Sequence, residues 1–304
     1  MKIVPFADEH LDAAAELLAV RHERQRSVFP QLPAEIDYRA EIATLLAEGA
    51  TGTFTAGAYV LGRPGPADLW GLNMWVAAAG HAASDPELLR DVWAAAAAGW
   101  FEQGVRAHYV LVPATDPDLL DAWFRLGFGA QQGHGVIEIP EREWPARVRE
   151  ATEDDIEALV EIGPLLSRHH RQSPVFSSVP EQSADQVRAD VLDDFARDDG
   201  VNLVYEIDGR IVGDFFLCPI ELSSAHSGLA RPPGAAILGF AVTHPDVRGS
   251  GAGLALTDAS FAWARARGYE TMVTDWRETN LLSSRFWRKR GFRTTFLRLH
   301  RSIL

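Results

Sequence analysis

Hydrophobic and polar positions alternate with two different periods along the chain, and the order in which those periods follow one another is spelled out twice. Apolar residues three and four apart, as at Leu159, Ile162, Leu165 and Leu166, predict helices with one buried face. Short β-branched or aromatic runs bounded by turn residues predict strands, and Asp208-Gly209 between two such runs marks a hairpin. In the first half the order is strand 2–6, helix 9–24, helix 38–49, strands within 51–61 and 69–79, a long helix 86–104, strand 107–114, a short helix 118–128 and strand 135–140. The second half repeats it with strand 147–151, helix 154–170, helix 183–199, strands 202–207, 210–220 and 235–243, helix 251–268, strand 271–276, helix 281–292 and strand 296–303. Two prolines and alternating charges at 140–147 predict a linker, which divides the chain into domains of residues 1–145 and 146–304. The Ser-, Gly- and Pro-rich segment 221–234 reads either as one wall of a cleft or as a plain surface connection.

Composition narrows what such a molecule can do. The formal charge of −13 and a pI near 5.2 argue against wrapping a nucleic acid or lying on an anionic bilayer, since both need a basic surface. Cys218 is the one cysteine, so neither an intramolecular disulfide nor a cysteine-based zinc site is available, and no metal is expected. That usage fits a reducing cytoplasm. The most apolar run, 92–101, is too short to span a bilayer, and the N-terminus lacks the pattern of a secretory signal.

The chemistry concentrates at 241–264. A strand ends near Thr243, a turn passes Pro245 and Asp246, and Arg248-Gly249-Ser250-Gly251-Ala252-Gly253 runs directly into an amphipathic helix. Read alone, such a run is either a tight turn or an anion cradle, because glycines let the backbone approach a ligand and the first helical amides lack partners of their own. It is neither a P-loop, having no Gly-Lys, nor a dinucleotide fingerprint.

The run does match R-x-x-G-x-G/A, and it resembles the acyl-CoA signature of the GNAT superfamily of N-acetyltransferases. A second signature follows: Asn280, Ser283, Phe286, Trp287 and Gly291-Phe292 fit the family pattern N-x-x-A/S-x-x-F-[YW]-x-x-x-G-F. The resemblance implies an α/β fold of two tandem GNAT-like domains, each a mixed, mostly antiparallel twisted sheet flanked by helices, with strands 4 and 5 splayed apart. It further implies that acetyl-CoA is the cosubstrate. Main-chain groups of Val242 and Thr243 would pair with the pantetheine arm. Amides from Arg248 through Gly249, Ser250, Gly251, Ala252 and Gly253 would hold the pyrophosphate, and Asn280 and Phe286 would line the far side.

Catalytic groups are less plainly written. Many members of the family carry a tyrosine acid where Trp287 stands, and an indole cannot serve as that acid. The fourth strand, 235–243, holds no titratable side chain. Asp275 and His170 are the leading candidates to take the acceptor's proton, with His169, Asp214 and Glu221 behind them. Asp275 reads equally as a partner for Arg277 or Arg285, and the His pair equally as an exposed helix end. The first half echoes the family's ending, with Gly127-Phe128 in the place of Gly291-Phe292, but residues 77–89 hold one glycine and no arginine where the signature would stand. An acyl-CoA site is therefore not expected there. Trp70, Trp75, Trp93, Trp100 and Trp123 are expected in its core. The implied activity is direct acetyl transfer to the primary amine of a small molecule by the C-terminal domain, with no nucleic acid or membrane partner and a homodimer left open. The competing expectation is a non-catalytic acyl-CoA-binding module.

Overall fold

The computed structural model describes residues 2–68 and 71–303, so Trp70 lies outside the described residues. In chain order the elements are β1 (Val4–Pro5), α1 (Leu11–Arg26), α2 (Tyr38–Ala47), β2 (Thr51–Thr55), β3 (Ala58–Asp68), β4 (Gly71–Val76), β5 (His81–Ala83), α3 (Pro86–Glu102), β6 (Ala107–Pro113), α4 (Pro117–Arg125) and β7 (Gly129–Glu138). There follow β8 (Val148–Glu150), α5 (Ile156–Ile162), α6 (Pro164–His170), α7 (Ala184–Phe195), β9 (Val201–Ile207), β10 (Arg210–Pro219), β11 (Ala236–Thr243), α8 (Ala252–Ala266), β12 (Thr271–Arg277), α9 (Ser283–Lys289) and β13 (Arg293–Ser302).

Two compact units emerge, one of residues 1–134, 227–233 and 294–304, the other of 135–226 and 234–293. They differ from a simple division at residue 145. The final strand β13 joins the first unit, where its 296–302 stretch forms an antiparallel ladder with β6. Strand β7 passes from the first unit into the second at residue 135. Periodicity marks a strand but carries no information about which sheet it will join.

In the first unit the strand order is β1-β2-β3-β4-β6-β13-β7, with β5 added against β3. Trp93, Trp100 and Trp123 are buried in its core together with Leu89, Val92 and Leu299. Trp75 is only half-buried and stacks on Tyr109 at 4.2 Å. Asp85 caps α3 by accepting the amide of Glu87, and Pro86 occupies the position where a missing N–H costs nothing.

The second unit carries the order β7-β12-β11-β10-β9-β8. Its pairs from β8 to β11 are antiparallel and β11–β12 is parallel, which makes the sheet mixed and mostly antiparallel. Helix α8 covers one face over Leu203, Phe215, Leu217, Leu238 and Trp276. The other face is covered by α5 and α7 through Leu159, Val187, Val191 and Val204. The single helix expected over 154–170 is two, because Pro164 has no amide to continue the ladder from α5 and instead begins α6. Segment 221–234 is only partly exposed: His226, Leu229 and Ala230 are buried, and 227–233 belongs to the first unit.

Candidate functional site

The opening in the second unit's sheet originates in the backbone of β11. Phe216 of β10 stands opposite Phe240, but Leu217 stands opposite Leu238, so Gly239 is an extra residue in the strand, a β-bulge. The parallel ladder with β12 ends at the same level. It runs from Ala236–Met272 to Leu238–Thr274 and stops, although β11 continues to Thr243 and β12 to Arg277. Strands 4 and 5 of this unit are thus splayed, and Gly239 is solvent-exposed in what would otherwise be mid-sheet. In the first unit the matching parallel pair stays closed to the last residue of β4, Val76 opposite Val110.

Beyond Thr243 the chain turns through residues 245–247 and enters α8. Gly249 and Gly251 adopt φ of +84° and +93°, a left-handed backbone that a side chain would strain. The amides of Arg248 and Ser250 are used within the turn, on the carbonyls of Pro245 and Val247. Those of Gly249 and Gly251 have no backbone acceptor among the described residues. They stand at the N-terminus of the 15-residue helix α8, whose dipole favours an anion there.

A cavity of about 440 Å³ lies along this turn and the open edge of β11. Val242, Thr243, Arg248, Gly249, Gly251, Ala252, Gly253 and Phe286 line it, eight of the ten residues expected to hold cofactor. Ser250 is not on the wall; its hydroxyl accepts the amide of Ala252 at 3.4 Å. Asn280 is not on the wall either. The sequence reading missed Phe215 and Leu254, which also line it. Only the ladder shows that Phe215, opposite Ala241, shares its face. Trp287 also lines the cavity, its ring 5.9 Å from Phe215 and 4.9 Å from Phe286.

Asn280 does different work. Its side chain is buried, and its Oδ1 accepts the amides of Leu282 and Ser283 at 3.1 and 3.3 Å, fixing the start of α9. The same amide bridges both histidines of α6, with Oδ1 3.3 Å from His169 Nε2 and Nδ2 3.3 Å from His170 Nε2. An amide nitrogen can only donate, so His170 Nε2 is the acceptor and its ring carries the proton on Nδ1. Burial, helped by the nearby charges of Arg277 and His169, pushes His170 down to about 4, so the ring is neutral at pH 7. The pair is therefore not an exposed helix end. Asp275 directly follows Thr274, the last residue of β12 paired with β11, and stands half-buried at the mouth of the splay. Strand alternation turns it away from Met272 and Trp276, which pack under α8.

Two further carboxylates stand on the α7 face. Asp214, opposite Val242 in the β10–β11 ladder, is buried and, among the described residues, accepts the Asn202 side-chain amide, at 3.2 and 3.4 Å from its two oxygens. Burial foremost, with Asp194 adding repulsion, raises Asp214 to about 7. Asp194 is likewise raised to about 7, chiefly by burial. Glu221 lies in a short helical turn after β10 and lines none of these walls. Among the described residues no group of His, Cys, Asp and Glu has a metal-holding arrangement.

Where the second unit has its glycine turn, the first has β5, paired to β3. The buried guanidinium of Arg21 donates there to the carbonyls of Ala78 and His81.

A mixed sheet splayed beside a glycine turn defines the architecture of the GNAT acetyltransferases, and over nearly its whole length the chain shares that fold. A GCN5-related N-acetyltransferase from Sphaerobacter thermophilus aligns at a TM-score of 0.61 and 16% identity, covering 99% of this chain and 95% of that one. Residues 166–292 match the model of the acetyltransferase (GNAT) family, so the chain carries a GNAT domain in that segment. A tandem GNAT protein from the clavulanic acid biosynthesis pathway aligns at 12% identity and a TM-score of 0.48, covering 99% and 98% of the two chains. The aminoglycoside 6'-N-acetyltransferase AAC(6')-IG of Acinetobacter haemolyticus aligns with 49% of this chain and 91% of its own, at 17% identity and a TM-score of 0.38. No curated protein sequence matches the chain. No described helix is long and apolar enough to cross a membrane.

Proposed function

We propose that the chain is an acetyl-CoA-dependent N-acetyltransferase, working in the cytoplasm, whose site lies in its C-terminal domain and whose acceptor is the primary amine of a small molecule. The observation that carries this reading is the cavity of about 440 Å³ where a glycine turn at a helix N-terminus meets the open edge of a splayed strand. The unspent amides of Gly249 and Gly251 suit the pyrophosphate, and the free edge of Val242 and Thr243 suits the amide-bearing pantetheine arm. Bound acetyl-CoA supplies the activated acetyl group; the chain's own part is to hold it, orient the amine and take the amine's proton. Asp275 at the mouth of the splay and a neutral His170, whose Nε2 exchanges its hydrogen bond from Asn280 for the amine's, are the groups assigned to that proton.

The second reading is a module that binds acyl-CoA without turning it over. Trp287 on the cavity wall favours it, because the indole cannot return a proton to a leaving thiolate. Titrating acetyl-CoA into the protein and then following free thiol across an amine library separates the two. Binding with amine-dependent thiol release supports the transferase, binding without release supports the module, and no binding removes both.

A further inference from the structure

A second cavity, of about 180 Å³, lies on the α7 face of the same sheet. Its walls include Asp190, Asp194, Asp214, Asn202, Gln182 and Phe240. Three are carboxylates, and no arginine, lysine or histidine lines it. Asp214 forms the floor with 3% of its surface exposed, and its side-chain donor among the described residues is the neutral amide of Asn202, shared between both oxygens. An ionised carboxylate buried to this degree ordinarily has a cation beside it. Arg197, whose charge reaches Asp194, is bound to Asp193 at 2.9 Å and lines no part of the cavity. What the floor lacks is a positive charge, and the cavity has room for about six waters' share of liquid volume.

Position gives the cavity a use. Phe240, which lines this cavity, directly follows the Gly239 bulge where β11 leaves β12. Val242, opposite Asp214, lines the larger cavity. The two cavities therefore share β11 as a wall.

We propose that this cavity seats an ammonium group of the acetyl acceptor, held by Asp214 on the floor and Asp194 on α7. In naming the ligand as acceptor, the proposal rests on the transferase reading; the site itself is a pocket for an alkylammonium. The two carboxyls, each raised to about 7 by burial and by neighbouring acids, would both ionise fully only beside such a cation. Asp190, hydrogen-bonded to Gln182 at 2.6 Å on the exposed rim, adds negative potential at the entrance.

The test is calorimetric titration of 1,4-diaminobutane into the full chain without CoA, with butane-1,4-diol as the neutral control. The diamine is expected to bind and the diol not. Asp214→Asn should weaken diamine binding at least tenfold, and Asp194→Asn, at a half-buried position that leaves the floor intact, should weaken it by a smaller factor. Equal affinity in both variants, or no preference for diamine over diol in the wild type, overturns the proposal. If Asp214→Asn does not fold, Asp194→Asn alone decides. Diamine binding with no thiol release from subsequently added acetyl-CoA across the amine library would retire the transferase reading and leave the pocket standing. Acetyl transfer to amines with no diamine preference would do the reverse.

Discussion

Asp214 makes the chemistry of single residues measurable. In the unfolded chain its carboxyl ionises near pH 4, whereas in the fold burial holds the proton to about pH 7. Between those values the native state binds more protons than the unfolded one, so this group makes the fold lose stability as pH rises from about 4 to 7. Asp214→Asn removes that contribution. The variant's melting temperature minus the wild type's should therefore become more positive from pH 4 to pH 8, and a difference that stays flat would show that Asp214 is not held protonated. Asn280 is a second such residue. Its Oδ1 accepts two amides at the start of α9, so Asn280→Ala should cost about 1–2 kcal/mol in urea unfolding, the usual worth of a helix cap. The family signature in the sequence picks out Asn280 but puts it on the cofactor wall. The structure puts it between two histidines and a helix start, contacts made across more than a hundred residues that no local pattern encodes.

At the scale of elements, the turn into α8 was the most legible part of the chain. Glycines spaced before an amphipathic helix can be read locally, and Gly249 and Gly251 do take left-handed backbone angles. Gly251→Ala should thus cost about 1–2 kcal/mol of thermal stability, since a Cβ finds open space there but the wrong φ. Ser250→Ala, at a position off the cavity wall, should leave acetyl-CoA affinity within about twofold. The bulge at Gly239 was not legible, although a glycine inside a strand pattern is its signal, because only the pairing partner reveals an extra residue. The break of the 154–170 helix at Pro164 was available from the sequence, as an interior proline forfeits a hydrogen bond.

For the whole molecule, the doubled order of elements could be read from periodicity, and the GNAT fold followed from the resemblance of the two signatures to that family, but the composition of the compact units could not be read. Strand β13 comes last in the chain and pairs in the first unit, a choice made by side-chain packing between distant segments. Charge is also unevenly spread. Residues 248–304 carry 11 basic and 4 acidic side chains, while 1–145 and 146–247 are each acidic by 10. On the proposed function a polyanionic cofactor and a cationic acceptor would be drawn to different stretches of the chain, so kcat/KM for a diamine should fall as salt rises and that for a neutral amine should not. The central claim is that one cavity, at the splay of the second unit, takes acetyl-CoA. Calorimetric titration of acetyl-CoA into wild type and Gly251→Trp tests it most directly. One site per chain, weakened at least a hundredfold by the tryptophan in a variant that still melts cooperatively, is the predicted result; unchanged affinity in Gly251→Trp, or two equivalent sites per chain, would contradict it.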